Sequence, residues 1–408
     1  MIKLLMCLVV SLPAFAQSQP SLASSQHFVW EASSLKGDTW RSSAWSPASS
    51  GGSFNGGRLY TTFNDGAAFG SSNNDLVLFE ITAYDSTNLA NTTLSLVNNM
   101  SSFGAAGSGL CMGDISSSHT CKSMDIWSDG GILYWDVFSQ DTGPPFATYK
   151  SAIICSNDKG VTWENYAHYL ANGSICDSIN HGNANGDAPA GASTDVQWWP
   201  TGGVGQKTDK MGKLSLIQVA QDGATPPTLP GGLSNTFHYF YSILEDAGNL
   251  YHVYLHRYTG DPMLPASWTH YNAGSWVSNP DLSSEISFTG VGIFSISAFY
   301  SPDTKVFYTI GDTGTPGAYS IWSSPDLVTQ TKLPAINGYS VVQPTGFTQF
   351  STWMLPTYQT IKAGGRFSIS MSQNGVDTGS ALVWSYVLGL AKLQFDPPNV
   401  RAGAPVGQ

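Results

Sequence analysis

One strand opening recurs along this chain, a turn residue followed by an apolar and aromatic pair. It reads Gly57-Arg58-Leu59-Tyr60, Gly131-Ile132-Leu133-Tyr134 and Gly248-Asn249-Leu250-Tyr251, and more loosely Thr304-Lys305-Val306-Phe307-Tyr308 and Gly365-Arg366-Phe367-Ser368. Each opening leads into short alternating runs bounded by turn residues, and the intervals suit four-stranded units with long loops better than the hairpins of a simple sandwich. Gly212-Lys213-Leu214-Ser215-Leu216 reads either as a sixth opening or as an inner strand of the third unit. A four-stranded unit with two apolar faces can bury both only against neighbours in a closed ring, which also hides the strand edges. The expected fold is all-β, a β-propeller of four-stranded antiparallel blades, with five blades favoured over six. No segment reads as a helix of three turns. Only 11% of residues are charged while Gly, Ser, Thr and Asn abound, as tight turns between short strands require.

The ends of the chain differ from its body. Met1-Ile2-Lys3, an apolar run from Leu4 to Val10 and Ala14-Phe15-Ala16 follow the charge, apolar core and cleavage-site order of a secretory signal. The expected organisation is a signal peptide at 1–16, a polar linker at 17–27, one propeller domain at 28–396 and an unstructured tail at 397–408. A secreted product follows, with no membrane partner, because no later segment offers the ~20 apolar residues of a span. Cys7 leaves with the signal, so Cys111, Cys121, Cys155 and Cys176 form an even set in an oxidising compartment. Short loops favour Cys111–Cys121 and Cys155–Cys176 among three possible connectivities. A zinc site is the rival reading, but no Cys-x-x-Cys pair or His-x3-His partner is present. Sequons at Asn91, Asn99 and Asn172 permit glycosylation in a eukaryotic host.

Charge excludes one class of partner. With 28 acidic and 17 basic residues the formal charge is −11, and no Lys/Arg cluster occurs, so the electrostatic footprint of a nucleic-acid binder is missing. A monomer is expected.

The sharpest local motif is Ser156-Asn157-Asp158-Lys159-Gly160-Val161-Thr162-Trp163. It resembles the Asp box of sialidases and related propellers at every defined position. Its mechanics are those of a turn: Asp158 accepts hydrogen bonds from turn amides, Gly160 takes a positive φ, and Trp163 packs back over the blade. Ser156, Asp158, Gly160, Thr162 and Trp163 are therefore structural, and the resemblance places the box away from the ligand. Ser301-Pro302-Asp303 and Ser324-Pro325-Asp326 echo it.

A second resemblance bears on function. Gly37-Asp38-Thr39-Trp40, Trp45 and Gly57-Arg58-Leu59-Tyr60-Thr61-Thr62-Phe63-Asn64-Asp65-Gly66 are similar to the first blade of a large propeller family long labelled a domain of unknown function. That family resembles the five-bladed furanosidases and includes endo-D-arabinanases that use paired aspartates. Matched residue by residue, the pair falls on Asp38 and Asp65. An insertion around Ser49-Ser50-Gly51-Gly52-Ser53-Phe54 makes their separation longer than the family pattern.

Glycoside hydrolysis uses one protonated carboxyl to assist the leaving oxygen and one ionised carboxyl to attack or to activate water. Asp65 follows the run Leu59–Asn64 and Asp38 precedes the neighbouring strand, so both suit strand ends facing a channel; the plain alternative is a pair of turn caps. Asp125 and Asp195 each precede an aromatic strand and are further candidates for tuning or contacting a substrate. Trp40, Trp45, Trp127, Trp198 and Trp199 suit stacking on sugar rings, although most propeller tryptophans are core. Arg41 and Arg58 suit hydrogen bonds to sugar hydroxyls or pairing with Asp38. Sialate recognition by three converging arginines is disfavoured, because the body offers only Arg41, Arg58, Arg257 and Arg366. The expected activity is a secreted glycoside hydrolase on a neutral poly- or oligosaccharide, without a cofactor. A channel calcium is compatible with the class, but no local ligand run supports it. The alternatives are a non-catalytic carbohydrate-binding propeller, or a polysaccharide lyase using a histidine such as His181, His238, His252 or His256, or a tyrosine.

Overall fold

The computed structural model describes residues 119–141, 148–181, 210–220, 225–245, 251–288, 295–301, 305–312 and 319–333. It also describes the strands at 20–22, 27–30, 43–46, 58–63, 76–83, 93–100, 347–355, 366–376 and 384–395. The segments expected to be a signal peptide at 1–16 and an unstructured tail from 397 lie outside these residues.

Strands dominate, in successive antiparallel meanders. The first is β3 (Ser43–Ser46), β4 (Arg58–Phe63), β5 (Leu76–Ala83) and β6 (Thr93–Met100); the second is β7 (His119–Asp129), β8 (Ile132–Asp141) and β9 (Thr148–Ser156). A bridge between Cys155 and Glu164 adds a short fourth edge to the second. The third is β10 (Leu214–Gln218), β11 (His238–Glu245), β12 (Tyr251–Tyr258), β13 (Trp268–Asn272) and β14 (Ser275–Val277). The fourth is β15 (Ser295–Ser301), β16 (Val306–Asp312), β17 (Tyr319–Ser324) and β18 (Thr331–Lys332), and the fifth is β19 (Phe347–Leu355), β20 (Arg366–Val376) and β21 (Trp384–Phe395). The first strands of the third and fourth meanders pair in parallel, Ile217 with Ala298 and Gln218 with Phe299. Two N-terminal strands, β1 (Pro20–Leu22) and β2 (His27–Trp30), pair antiparallel with the C-terminal strand β21. Thus part of the segment expected to be a polar linker joins a sheet, since an edge strand needs only a free ladder partner. Among the described residues α-helix is confined to α1 (Tyr166–Ala171) and α2 (Ser178–His181), with single 3-10 turns at Pro265–Ser267 and Pro280–Leu282.

The repeated openings fall on strands, mostly one strand later than a blade start. Those at 58, 132, 306 and 366 begin second strands, β4, β8, β16 and β20. The opening at Gly248 instead leads into β12, a third strand, and Leu214 begins β10, the inner strand of the third unit.

The third meander shows why these sequences carry apolar residues on consecutive positions. Tyr239, Phe240 and Tyr241 of β11 are all buried. Phe240 packs edge-on against Trp127 of the second meander at 5.0 Å. Tyr241 faces the other way, where its hydroxyl donates to the Leu327 carbonyl of the fourth meander at 2.7 Å. A strand covered on both faces loses the in-out alternation of a solvated sheet. Each such ring contributes about 1.5–3 kcal/mol by leaving water.

The turn after β9 has the geometry its sequence demands. Asp158 accepts from the Thr162 amide at 2.9 Å and the Thr162 hydroxyl at 2.6 Å, and the Ser156 hydroxyl donates to it at 2.8 Å. Trp163, fully buried, donates from its indole nitrogen to the Gly160 carbonyl at 2.9 Å. The same device follows β17. Asp326 accepts from the amides of Val328 and Thr329 at 2.9 and 2.6 Å, and from the Thr329 and Ser324 hydroxyls. Burial alone would raise the Asp326 carboxyl, but these hydrogen bonds hold it below the ordinary aspartate value. The echo at Ser301 differs, since Ser301 ends the first strand β15 and Asp303 lies outside the described residues.

Candidate functional site

Asp38, Trp40, Arg41, Asp65, Cys111, His181's side chain, Asp195, Trp198 and Trp199 lie outside what the structure describes. Trp45 on β3, Arg58 on β4 and Cys121 on β7 are placed by their backbone alone. Trp45 pairs with Leu59, and Ser46 with Arg58. Arg58 therefore opens β4 at the end away from Phe63, about 16 Å along the strand at ~3.3 Å per residue.

Asp125 is the one acid among the expected substrate contacts whose surroundings are described. It is 6% exposed and sits in β7 where the register with β8 shifts between Ser123 and Ile126. Its Oδ2 accepts from the Leu216 amide at 2.7 Å, and Oδ2 of Asp136, on β8, accepts from the Leu214 amide at 2.9 Å. Amides two residues apart point the same way from a strand, so two acids of the second meander hold one edge of β10. Farther along that strand, β15 pairs at Ile217. Beside this junction Lys213 is fully buried with φ 54°, and its Nζ lies 5.8 Å from the Phe138 ring centroid. Trp127, weighed as a sugar platform, is 1% exposed and donates to the Tyr258 hydroxyl at 3.1 Å, which makes it core.

The histidines separate by environment. His252 and His256 share a strand face, as alternation requires. His252 lies 3.1 Å from Glu285 near the surface. His256 is buried; its Nε2 is 2.6 Å from the Ser242 hydroxyl and 3.0 Å from the Lys210 carbonyl, and its Nδ1 is 2.8 Å from Nδ1 of His270. Burial, the neighbouring His270 and Lys210 hold His256 well below 6.5, outweighing its bond to the Lys210 carbonyl, and burial takes His270 to about 3. A neutral His256 with its proton on Nε2 donates toward Ser242 and Lys210 and accepts from His270.

His238 lies 3.3 Å from Asp129, whose Oδ2 also accepts from the Tyr258 hydroxyl at 3.0 Å. Asp261, on the β12–β13 loop, accepts from the Tyr169 hydroxyl and from the Met263 amide. Burial and the charge of Asp129 raise the Asp261 carboxyl against the opposing pull of that amide. A lyase base needs positive charge beside it to accept a uronate. His238 instead faces the carboxyl of Asp129, which would repel one.

Cys155 and Cys176 form a disulfide with Cα atoms 6.1 Å apart, one of the pairings that short loops favoured. It ties the helical segment to β9. Asn172, one of the three sequons, caps α1 and turns its amide nitrogen onto the buried carboxylate of Glu164. An asparagine held this way is unsuited to carrying a glycan.

No family model matches the chain, and no curated protein does. Among solved structures, the chain is similar to a family 117 glycoside hydrolase produced by the marine bacterium Zobellia galactanivorans, at 11% identity and a TM-score of 0.47 over 92% of this chain and 91% of that one. It is similar to an α-L-arabinofuranosidase from Podospora anserina in complex with cellotriose, at 9% identity and a TM-score of 0.43 over 94% and 98%. It is also similar to an N-acetylgalactosamine deacetylase from F. plautii in complex with blood group B trisaccharide, at 12% identity and a TM-score of 0.44 over 93% and 95%. Likenesses of this size leave the activity to be argued from the chain's own residues.

Proposed function

We propose that this chain is a secreted glycoside hydrolase, built as a closed propeller of five blades, that cuts a neutral cell-wall or environmental glycan of the arabinan-furanoside type. Asp38 and Asp65 serve as acid and as base or nucleophile, and Trp40 and Arg41 contact the sugar. One observation carries the reading. Ser43, the first residue of β3, pairs with Thr61, two residues before β4 ends at Phe63. The start of β3 and the end of β4 are thus at one end of the first meander. The chain enters β3 five residues after Asp38 and reaches Asp65 two residues after Phe63. Two acids this close in sequence to one sheet end meet the first requirement of a carboxyl pair. The successive meanders and the pairing of β1 and β2 with β21 support a ring, because joining the two chain ends in one sheet is what closure needs.

Purified protein incubated with arabinans and other neutral wall glycans should release reducing ends. Asp65→Asn and Asp38→Asn should each lower that rate by about 10²-fold or more, with the far-ultraviolet spectrum unchanged. Absence of turnover by the parent chain on the whole panel, or full activity in both variants, overturns the assignment. Glycan binding that persists in Asp65→Asn without turnover in either protein would establish the binding-propeller alternative.

A further inference from the structure

We propose that Cys155, Cys176 and Glu164 form a binding site for a thiophilic divalent cation, zinc by its chemistry, when the Cys155–Cys176 disulfide is reduced. The site does not rest on the hydrolase reading. Sequence spacing conceals it, since Cys155 and Cys176 are 21 residues apart. The fold assembles it from the end of β9, the edge that bridges back at Glu164, and the loop after α1.

Three donors come within reach of one ion once the sulfur–sulfur bond opens, since the ligand atoms of Cys155, Glu164 and Cys176 all lie within 4.8 Å of one another in the disulfide-bonded chain. Cys155 and Glu164 are fully buried, while Cys176 is half-buried and gives access. Tetrahedral zinc with bonds of about 2.3 Å to sulfur and ~2.0 Å to oxygen sets a sulfur-to-oxygen separation of roughly 3.5 Å. Sγ of Cys155 lies 3.9 Å from Oε2 of Glu164. The carboxylate is already oriented by the Asp177 amide, which donates to that same Oε2 at 2.7 Å.

A separate observation points to a cation. Oδ1 of Asn172 is buried and has no hydrogen-bond partner, although the nitrogen of the same amide contacts Glu164. A buried acceptor left unmet costs about 1–3 kcal/mol. A cation beside Glu164 would be one amide away from that acceptor, and water would complete two sulfurs and a carboxylate to four donors.

The chemistry balances with an external reductant. A phosphine takes its oxygen from water and leaves as phosphine oxide, while the sulfur–sulfur bond breaks and each sulfur gains one hydrogen. Binding of the dication then displaces the two thiol protons to solvent, giving two thiolate ligands. The helical segment is consequently fastened to β9 in both states, by a covalent bond when oxidised and by metal when reduced.

The test uses the full chain and its Cys155→Ser/Cys176→Ser variant, both reduced with a phosphine and titrated with Cd2+. The thiolate-to-cadmium charge-transfer absorption reports binding. The parent chain should take up one more equivalent than the variant, Zn2+ should displace it, and Glu164→Gln should weaken it by roughly 10-fold or more. Equal uptake by parent and double variant, or unchanged affinity in Glu164→Gln, overturns the site. If the double variant does not fold, alkylation of the reduced parent chain decides. Zn2+ should protect Cys155 and Cys176 in the peptide mass map, and their full alkylation in its presence overturns the proposal.

Discussion

At the residue scale the buried pair His256 and His270 ties stability to pH. Both are neutral in the fold, His256 held well below 6.5 and His270 at about 3, whereas in the unfolded chain each returns to 6.5. On acidification the unfolded state therefore binds protons first. Their contribution is complete above pH 6.5 and is lost as pH falls from there toward 3, at up to about 1.4 kcal/mol per pH unit for each histidine. From 6.5 to about 4.5 the histidines lower stability as pH falls, while carboxylates such as Asp326, held below 3.8, act at lower pH and the raised Asp261 acts in the opposite direction. Urea midpoints measured at pH 7 and pH 5 should fall markedly in the parent chain and by about half as much in His270→Gln. A midpoint that does not move, or a drop equal in both proteins, would remove the pair from the acid response. Nothing in the sequence announced this network. His256 and His270 are opposite one another only through the register of β12 with β13, and strand alternation alone could say no more than that His252 and His256 share a face.

At the element scale, legibility follows how local the determinants are. The Asp158 turn was readable because all its donors and acceptors lie within eight residues, and the fold repeats it at Asp326. The strand openings were readable as strands but not by rank, since β8, a second strand, and β12, a third, both carry consecutive buried residues. The grip of Asp125 and Asp136 on β10 was unreadable, because it joins residues 91 and 78 positions apart. Gly160 shows how a local motif is locked by a distant one. Its φ is +87°, and a Cβ there would lie 2.3 Å from Cδ2 of Leu78, a buried side chain of β5 in the first meander. Gly173 has a similar φ, +85°, with nothing within 4 Å of that position. Gly173→Ala should therefore cost about 1–2 kcal/mol from backbone strain alone, and Gly160→Ala roughly 1–3 kcal/mol more from overpacking. In a Leu78→Ala background the two glycine substitutions should cost the same. Equal costs in the parent chain would show that the contact between the first and second meanders contributes nothing at this turn.

For the whole molecule, the decisive connection is the one between its ends. β1 and β2 both pair with β21, whose last residue is Phe395, so N-terminal and C-terminal strands are united in one sheet only after the meanders between them exist. A closed ring makes that pairing a property of every sheet interface, whereas an open row would make it an appendage of the last sheet. Removal of residues 17–30 separates the two cases. In a ring, β21 is left as an unpaired edge and its neighbours lose a shared boundary. The truncated chain should then unfold in a single transition at lower temperature, and amide exchange should quicken in β10–β12 and β15–β17, far along the chain from the deletion. An appendage predicts faster exchange confined to β19–β21, with the joined third and fourth meanders melting at their original temperature. That second outcome would leave the chain an open array of β-meanders and take away the closed mouth in which Asp38 and Asp65 are proposed to act.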